Sequence, residues 1–266
     1  MTTGSDSPAG QERTAVQAAV ARLEAAAAGL PPVPDGRPGH VSLSEEVCDR
    51  LIDLAAARAW LRVTGPASPD GADDIDDIDD VMHGCVRWAV QEDVVRSRSA
   101  AMAAEATPPV REGQPVDSAH RLVTHLITSL ADAAYYDEVC ARLRTALGPR
   151  LDGRAAAAWD IADEALRGLG ATRDEWVDAD PAFTAAGGWV LVDRIGRLQL
   201  AAALLAEAAA LSGEEGPLCT NATRRYTWNW LRQPPPEAAT DIHVQRTGEL
   251  VGWIRSAGPA GQGSAA

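Results

Sequence analysis

The sequence predicts an all-α protein, a single helical bundle or a globular array of about seven helices. Alanine dominates the 46% of residues that are hydrophobic, and alanine has the highest helix propensity of all residues. Aromatic residues, which together with β-branched residues favour strands, make up only 5% of the chain. Apolar residues also recur at helical spacing between proline and glycine breaks, as expected for helices packed on a core.

The breaks place the helices in order along the chain. Pro31 ends the first helix, and Ser42 to Glu45 form a capping box that opens the second. Asp117 and Asp152 are expected N-caps, and Gly168 and Gly170 are expected C-terminal signals. A short helix from residue 172 is predicted to stop before residue 181. The other predicted helices cover residues 12–29, 42–64, 73–105, 117–147, 152–166, 184–212 and 218–232.

One helical domain, residues 11–255, is expected between two disordered tails. Residues 1–10 and 256–266 are rich in small and polar residues and lack periodicity. Near the C-terminal end, residues 242–245 and 250–254 alternate around Thr247-Gly248. This alternation indicates a possible small β-hairpin.

Composition and charge exclude several classes of protein. The formal net charge is −14, and all 24 basic residues are arginines. A lysine-free, alanine-rich chain is typical of a GC-rich genome such as that of an actinobacterium. Nucleic-acid binding needs clustered cations, so neither a nucleic acid nor an anionic membrane is an expected partner. The N-terminal ten residues lack an apolar signal core, and the four scattered cysteines form no metal-type pair, so we expect a soluble cytoplasmic protein.

An aspartate-rich octapeptide is the feature of the sequence that best suggests chemistry. Residues 73–80 read Asp-Asp-Ile-Asp-Asp-Ile-Asp-Asp, and Asp73, Asp74 and Asp77 are spaced to hold Mg²⁺ against a diphosphate. On this motif and its helical fold class, the chain resembles the class I isoprenoid synthases. Arg225-Tyr226 is similar to the Arg-Tyr pair of bacterial terpene synthases. The resemblance implies a Mg²⁺-dependent enzyme that acts on an isoprenoid diphosphate.

Other features favour a structural role for the octapeptide. The chain has no second aspartate-rich motif, no Asn-Asp motif followed by serine and glutamate, and none of the family's lysines. In a helix, Ile75, Ile78, Met82, Cys85, Val86 and Ala89 lie within an arc of about 100°. Asp73, Asp76, Asp77 and Asp80 fall on the opposite side, so we expect them to face water. Acidic residues at a helix N-terminus also complement the helix dipole.

Two further groups of residues are candidates for a ligand pocket. Arg224, Arg225 and Trp228 combine cations and an aromatic ring at helical spacing, which suits an anionic or flat ligand. The alternative is that Trp228 packs inward while the arginines extend to water. Trp159, Trp189 and Trp228 are possible walls for a small hydrophobic ligand. The spacing of His83, His120 and His125 provides no zinc-type pair, so these residues are expected to be structural or exposed.

Two hypotheses of function follow. The favoured hypothesis is an accessory or interaction protein that acts through helix surfaces without a cofactor, as a homo-oligomer or with a protein partner. Gly188, Val192 and Gly196 share one helix face and would allow another helix to approach closely. The alternative is a helical enzyme of specialised metabolism, most specifically the Mg²⁺-dependent diphosphate enzyme, with Asp73, Asp74 and Asp77 as metal ligands.

Overall fold

The all-α fold is confirmed. The computed structural model describes residues 8–30, 41–65, 77–105, 116–177, 189–232, 249–250 and 252–254, and no strand occurs among them. A 3₁₀ turn at Gly153–Ala155 precedes the sixth helix, and residues 249–250 and 252–254 are also helical. No helix in these ranges is both long enough and apolar enough to cross a membrane. The helices are α1 (Pro8–Ala28), α2 (Val41–Val63), α3 (Asp77–Glu105), α4 (Val116–Ala131), α5 (Ala133–Leu147), α6 (Ala156–Val177), α7 (Trp189–Ala210) and α8 (Glu215–Leu231).

Helix α7 is the central element of the fold. It packs against α2, α3, α4, α5, α6 and α8. Every residue from Ile195 to Leu205 is buried, so this stretch presents no face to solvent. A helical stretch that is buried on all sides lies in the interior of a protein, and this is the position of α7.

Two hydrophobic clusters form the core, and α3 and α7 contribute to both. The first cluster joins α1, α2 and α8 to the C-terminal part of α3, through residues such as Leu23, Trp60 and Tyr226. The second joins α4, α5 and α6 to the N-terminal part of α3, through residues such as Leu130 and Leu169. The two central helices therefore hold together two groups of three helices.

The segment predicted as one helix over residues 117–147 is two helices. Helix α4 ends at Ala131, and Asp132 is the N-cap of α5, where its side chain accepts a hydrogen bond from the backbone N–H of Tyr135 at 3.0 Å. Asp117, the expected cap, lies one residue inside α4. The apolar pattern continues across the break, so periodicity alone did not reveal it. Helix α5 ends at Leu147. The N–H of Gly148, the C-cap, bonds to the carbonyls of Arg144 and Thr145, and its φ of 65° turns the chain away from the helix.

Three other predicted boundaries were wrong. Helix α6 continues through Gly168 and Gly170 to Val177, because helical glycines weaken a helix without necessarily ending it. Helix α2 begins at Val41, so Ser42 is not its N-cap. The predicted hairpin fails in its second strand, because residues 249–250 and 252–254 are helical. The first strand at 242–245 and the predicted C-terminal tail lie outside the described residues. Residues 8–10, predicted as part of a disordered N-terminal tail, are the start of α1.

The close approach predicted at Gly196 occurs within the chain. A Cβ atom on Gly196 would lie 2.3 Å from the backbone oxygen of Cys85 and 3.1 Å from the Cβ of Ala89. Helix α3 therefore occupies the small-residue face of α7, and Val192 on that face is fully buried. The face contacts a helix of the same chain, so it gives no support to a dimer. Gly188 lies outside the described residues.

We expect Gly196→Ala to lower the free energy of unfolding by about 2 kcal/mol or more, because the new methyl group would collide with rigid backbone of α3. Gly84→Ala is the matched control, since its Cβ would meet only the movable side chain of Leu126, with Cδ2 nearest at 2.8 Å. Gly168→Ala meets nothing within 4 Å and should add about 0.5–1 kcal/mol through helix propensity. Denaturant unfolding of the three variants checks this order, and equal effects of Gly196→Ala and Gly84→Ala would contradict it.

Candidate functional site

Asp80 of the aspartate-rich motif, which was expected to face water, is half-buried, and the first four residues of the motif lie outside the described residues. Asp73 and Asp74 lie there, and Asp77 is the first residue of α3, with its side chain not described. The apolar arc expected along this helix is confirmed where it is described, since Ile78, Met82, Cys85, Val86 and Ala89 are all buried. In the part of the chain that the structure describes, no three His, Cys, Asp or Glu side chains are grouped to hold a metal ion. The proposed Mg²⁺ ligation by Asp73, Asp74 and Asp77 stays a prediction.

The predicted ligand patch on α8 has partners within the chain. Arg225 Nε donates to Asp49 Oδ1 at 2.5 Å, and Arg225 Nη2 donates to the Glu45 carbonyl at 3.2 Å. Trp228 is half-buried, and the guanidinium carbon of Arg232 lies 5.1 Å from its ring centroid. Arg224 is also half-buried. Arg225 thus links α8 to α2, and its side chain is only 12% exposed, so it does not extend to water as the structural alternative for this segment expected.

The other aromatic and histidine residues singled out in the sequence have separate environments. Trp159 is half-buried in the second hydrophobic cluster and donates its Nε1–H to the Gly148 carbonyl at 3.3 Å. Trp189, at the start of α7, is 42% exposed. His83 is half-buried with its ring edge-on to Trp60 at 5.2 Å, and His125 is exposed. His120 has no described side chain.

An ion pair sealed in the core is the most unusual feature of the molecule. Arg197 on α7 and Asp93 on α3 are both 0% exposed. The guanidinium donates to both carboxylate oxygens of Asp93, at 2.7 and 2.8 Å, and to the Ala89 carbonyl at 3.2 Å. The remaining nitrogen, Nε, lies 3.4 Å from Asp193 Oδ1. Two-point pairing of this kind is among the strongest geometries for an arginine and a carboxylate.

A second buried carboxylate lies beside this pair. Asp53 on α2 is 1% exposed, and its Oδ1 accepts a hydrogen bond from the indole N–H of Trp230 on α8 at 2.7 Å. Its Oδ2 lies 3.0 Å from Arg50 Nη1. We refer to Arg50, Asp53, Asp93, Arg197 and Trp230 as the charge cluster. Its members come from α2, α3, α7 and α8, so it connects four helices at one point.

Trp230 is the aromatic centre of the charge cluster. The guanidinium carbon of Arg197 lies 3.6 Å from its ring centroid, and that of Arg96 lies 4.3 Å away. Arg50 approaches to 6.0 Å. Cation–π contacts that are shielded from water contribute about 2 kcal/mol each. The indole ring therefore stabilises the neighbouring guanidinium groups in addition to the carboxylates of Asp53 and Asp93.

Burial and charge act differently on the ionisable groups here. Burial, the largest single effect, would lower the pKa of Arg197. The charges of Asp93 and Asp193 and the hydrogen bonds to Asp93 contribute to a combined effect that outweighs it, so this pKa is raised well above its ordinary value and the guanidinium stays ionised. Burial raises the pKa of Tyr226 well above its ordinary value, so its hydroxyl stays protonated despite the nearby charge of Arg197. Burial, and then the charge of Asp93, raise the pKa of Asp53 to about 7.

The cysteines are inert residues of the core. All four are free, and Cys48, Cys85 and Cys219 are buried, as expected from the sequence. Burial raises the pKa of Cys48 to about 12 and that of Cys219 to about 11. Because the thiolate is the nucleophile and the metal ligand, neither residue is suited to chemistry at neutral pH.

A surface cleft is the second candidate site. It has a volume of about 750 Å³ and is open to solvent, between the 3₁₀ turn, the start of α8 and the helical residues 249–250 and 252–254. Three glutamates line it with a single arginine, and Leu218 and Trp253 are its half-buried apolar members. It therefore combines an acidic rim with an apolar floor. The lining residues are Arg154, Glu214, Glu215, Pro217, Leu218, Asn221, Glu249, Gly252 and Trp253.

Comparisons with known proteins give no match: no family model, no curated protein and no solved structure is similar to this chain. Function is therefore inferred from the charge cluster and the cleft alone.

The charge cluster was not predicted, although the sequence contains a signal for it. Arg197 interrupts the long apolar segment of α7, and Asp53 stands between Ile52 and Leu54 on a helix that is otherwise buried there. A charged residue at a buried helical phase predicts an opposite charge on a neighbouring helix. Which neighbour supplies that charge depends on tertiary packing, and residues 53, 93 and 197 are far apart in sequence.

We expect Arg197→Met to lower the free energy of unfolding by about 3–5 kcal/mol, because it leaves Asp93 charged, buried and without its cation. The double variant Asp93→Leu/Arg197→Met should recover most of this loss, since it removes both charges. Denaturant unfolding of the single and double variants measures their coupling. Arg150→Met, which breaks the exposed pair with Asp160, is the control and should have little effect. Additive effects of the two core substitutions would contradict a coupled pair.

Proposed function

We propose that the protein is a non-catalytic cytoplasmic interaction protein that binds a partner protein through its helix surfaces. The observation that carries this proposal is the burial of the charge cluster. Asp53, Asp93 and Arg197 are at most 1% exposed and already pair with groups of the chain. Because a substrate in solution does not reach these groups, they are not suited to catalysis. Because they pair across helices, they are suited to holding the helices together.

The cleft is the surface through which we propose that a partner binds. Glu214, Glu215 and Glu249 give it negative charge, and Trp253 with Leu218 gives it an apolar floor. Opposite charge steers association and selects partners, and aromatic residues are frequent anchors of interfaces. A basic segment with apolar side chains complements both features. We therefore propose a partner protein with such a segment.

We expect a ten-residue peptide of alternating arginine and leucine to bind the protein, and the triple variant Glu214→Gln/Glu215→Gln/Glu249→Gln to weaken this binding at least about tenfold. Each substitution removes negative charge from the cleft and keeps the side-chain shape. Isothermal titration calorimetry at near-physiological salt measures both affinities. Salt at that level screens exposed charges that are more than about 8 Å apart, so the loss reports on charges close to the peptide.

The matched control removes three negative charges at exposed positions that do not line the cleft, as Glu46→Gln/Asp137→Asn/Glu164→Gln. Equal weakening by both triple variants would mean that only the net charge of −14 attracts the peptide.

Sedimentation velocity on the free protein tests the remaining form of the interaction hypothesis, a homo-oligomer. A stable dimer with no peptide binding would replace the cleft with a self-association surface.

The Mg²⁺-dependent enzyme hypothesis makes a separate prediction. If Asp73, Asp74 and Asp77 bind Mg²⁺ and diphosphate, ligands at about 100 times their dissociation constant add about 2.7 kcal/mol to the free energy of unfolding. For an interaction protein we expect no rise in the melting temperature with Mg²⁺ and pyrophosphate together. A rise that requires both components and disappears in Asp73→Asn/Asp77→Asn would overturn the proposed function.

A further inference from the structure

We propose that Asp53 is a buried proton-binding site whose charge state alters the contact between α2 and α8. Asp53 lies on α2, and Trp230, which donates to it, lies in the last turn of α8. A change at this carboxyl group therefore acts directly on the junction of the two helices.

The balance of buried charges is the first support. Two carboxylates, Asp53 and Asp93, share the interior with one fully buried cation, Arg197. Arg197 gives its two-point contact to Asp93, so Asp53 is left with Arg50, which is also a residue of α2. When like charges share a buried site, one of them takes up a proton far more readily than it does in water.

Ionisable and polar groups on four helices surround Asp53. Its own helix supplies Arg50 and the protonated thiol of Cys48. Helix α3 supplies Asp93, α7 supplies Arg197, and α8 supplies Tyr226 and Trp230. Burial and the charge of Asp93 together raise the pKa of Asp53 to about 7, against the opposing charges of Arg50 and Arg197.

The ionised and the neutral forms of the Asp53 carboxyl group make different contacts. The ionised carboxylate attracts Arg50, whose side chain is 13% exposed, and accepts the indole N–H of Trp230. The neutral carboxylic acid does not attract Arg50, which is then free to extend towards water. Asp53 accepts a proton from solution in this step, and no covalent bond other than O–H forms.

The effect on stability has a definite sign. The pKa of Asp53 is higher in the folded protein than in the unfolded chain, where an aspartate has a pKa of about 3.9. Between these two values the folded state binds more protons than the unfolded state, so the free energy of unfolding falls as pH rises from about 4 to about 7. Above that window the loss is complete.

The test is ¹H–¹⁵N NMR of protein labelled with ¹⁵N at tryptophan, in which the Trp230 indole signal is assigned by its absence in Trp230→Phe. We expect this signal to shift with a midpoint near pH 7, and Asp53→Asn to abolish the transition. Asp49→Asn is the matched control on the same helix pair, since Asp49 accepts from Asn229 and Arg225 of α8, and it should keep the transition. His83→Gln should keep it too.

A second measurement does not require a variant. In wild-type protein labelled with ¹³C at the aspartate carboxyl carbons, one signal should titrate near neutral pH, far above the others. The proposal is overturned if no aspartate carboxyl titrates above pH 6, if the Trp230 signal is constant from pH 5 to 9, or if its transition persists in Asp53→Asn or disappears in His83→Gln.

Discussion

The two-point pair between Arg197 and Asp93 is the interaction on which the rest of the structure depends. A single charge in a sealed core is very unfavourable, and only a well-placed opposite charge with further hydrogen bonds makes its burial tolerable. Arg197 has both, in Asp93 and in the Ala89 carbonyl. These partners lie on α3, so the spacing and rotation of α3 and α7 are constrained to values that keep the pair intact.

Other contacts between α3 and α7 require the same spacing and rotation of the two helices. Gly196 lets the backbone of α3 approach at Cys85, and Gln199 Nε2 donates to the Met82 carbonyl at 2.8 Å. Three residues of α7 with different chemistry, Gly196, Arg197 and Gln199, thus contact α3. Apolar packing alone tolerates sliding between helices, whereas buried polar groups must meet specific partners, so these contacts favour one arrangement of the two central helices.

Much of the fold could be predicted from the sequence, and the charge cluster could not. Helical spacing identified the buried face of α3 and the long apolar α7, because periodicity records which residues avoid water. The break at Asp132 was missed because the apolar pattern crosses it, and the continuation of α6 through Gly168 was missed because tertiary packing outweighs a local propensity. The cluster joins residues from four helices. Their meeting depends on packing, and spacing along one helix carries no information about it.

The central claim is that the charge cluster joins α2, α3, α7 and α8 into one cooperative unit. Native-state hydrogen exchange tests this claim most directly. The backbone amides beside Asp53, Asp93, Arg197 and Trp230 should all exchange with the same opening free energy, equal to that of global unfolding. The contradicting result is exchange of the amides around Trp230 through a local opening of much lower free energy, while α3 and α7 stay protected. In that case α8 would separate from the other helices without disturbing the buried ion pair.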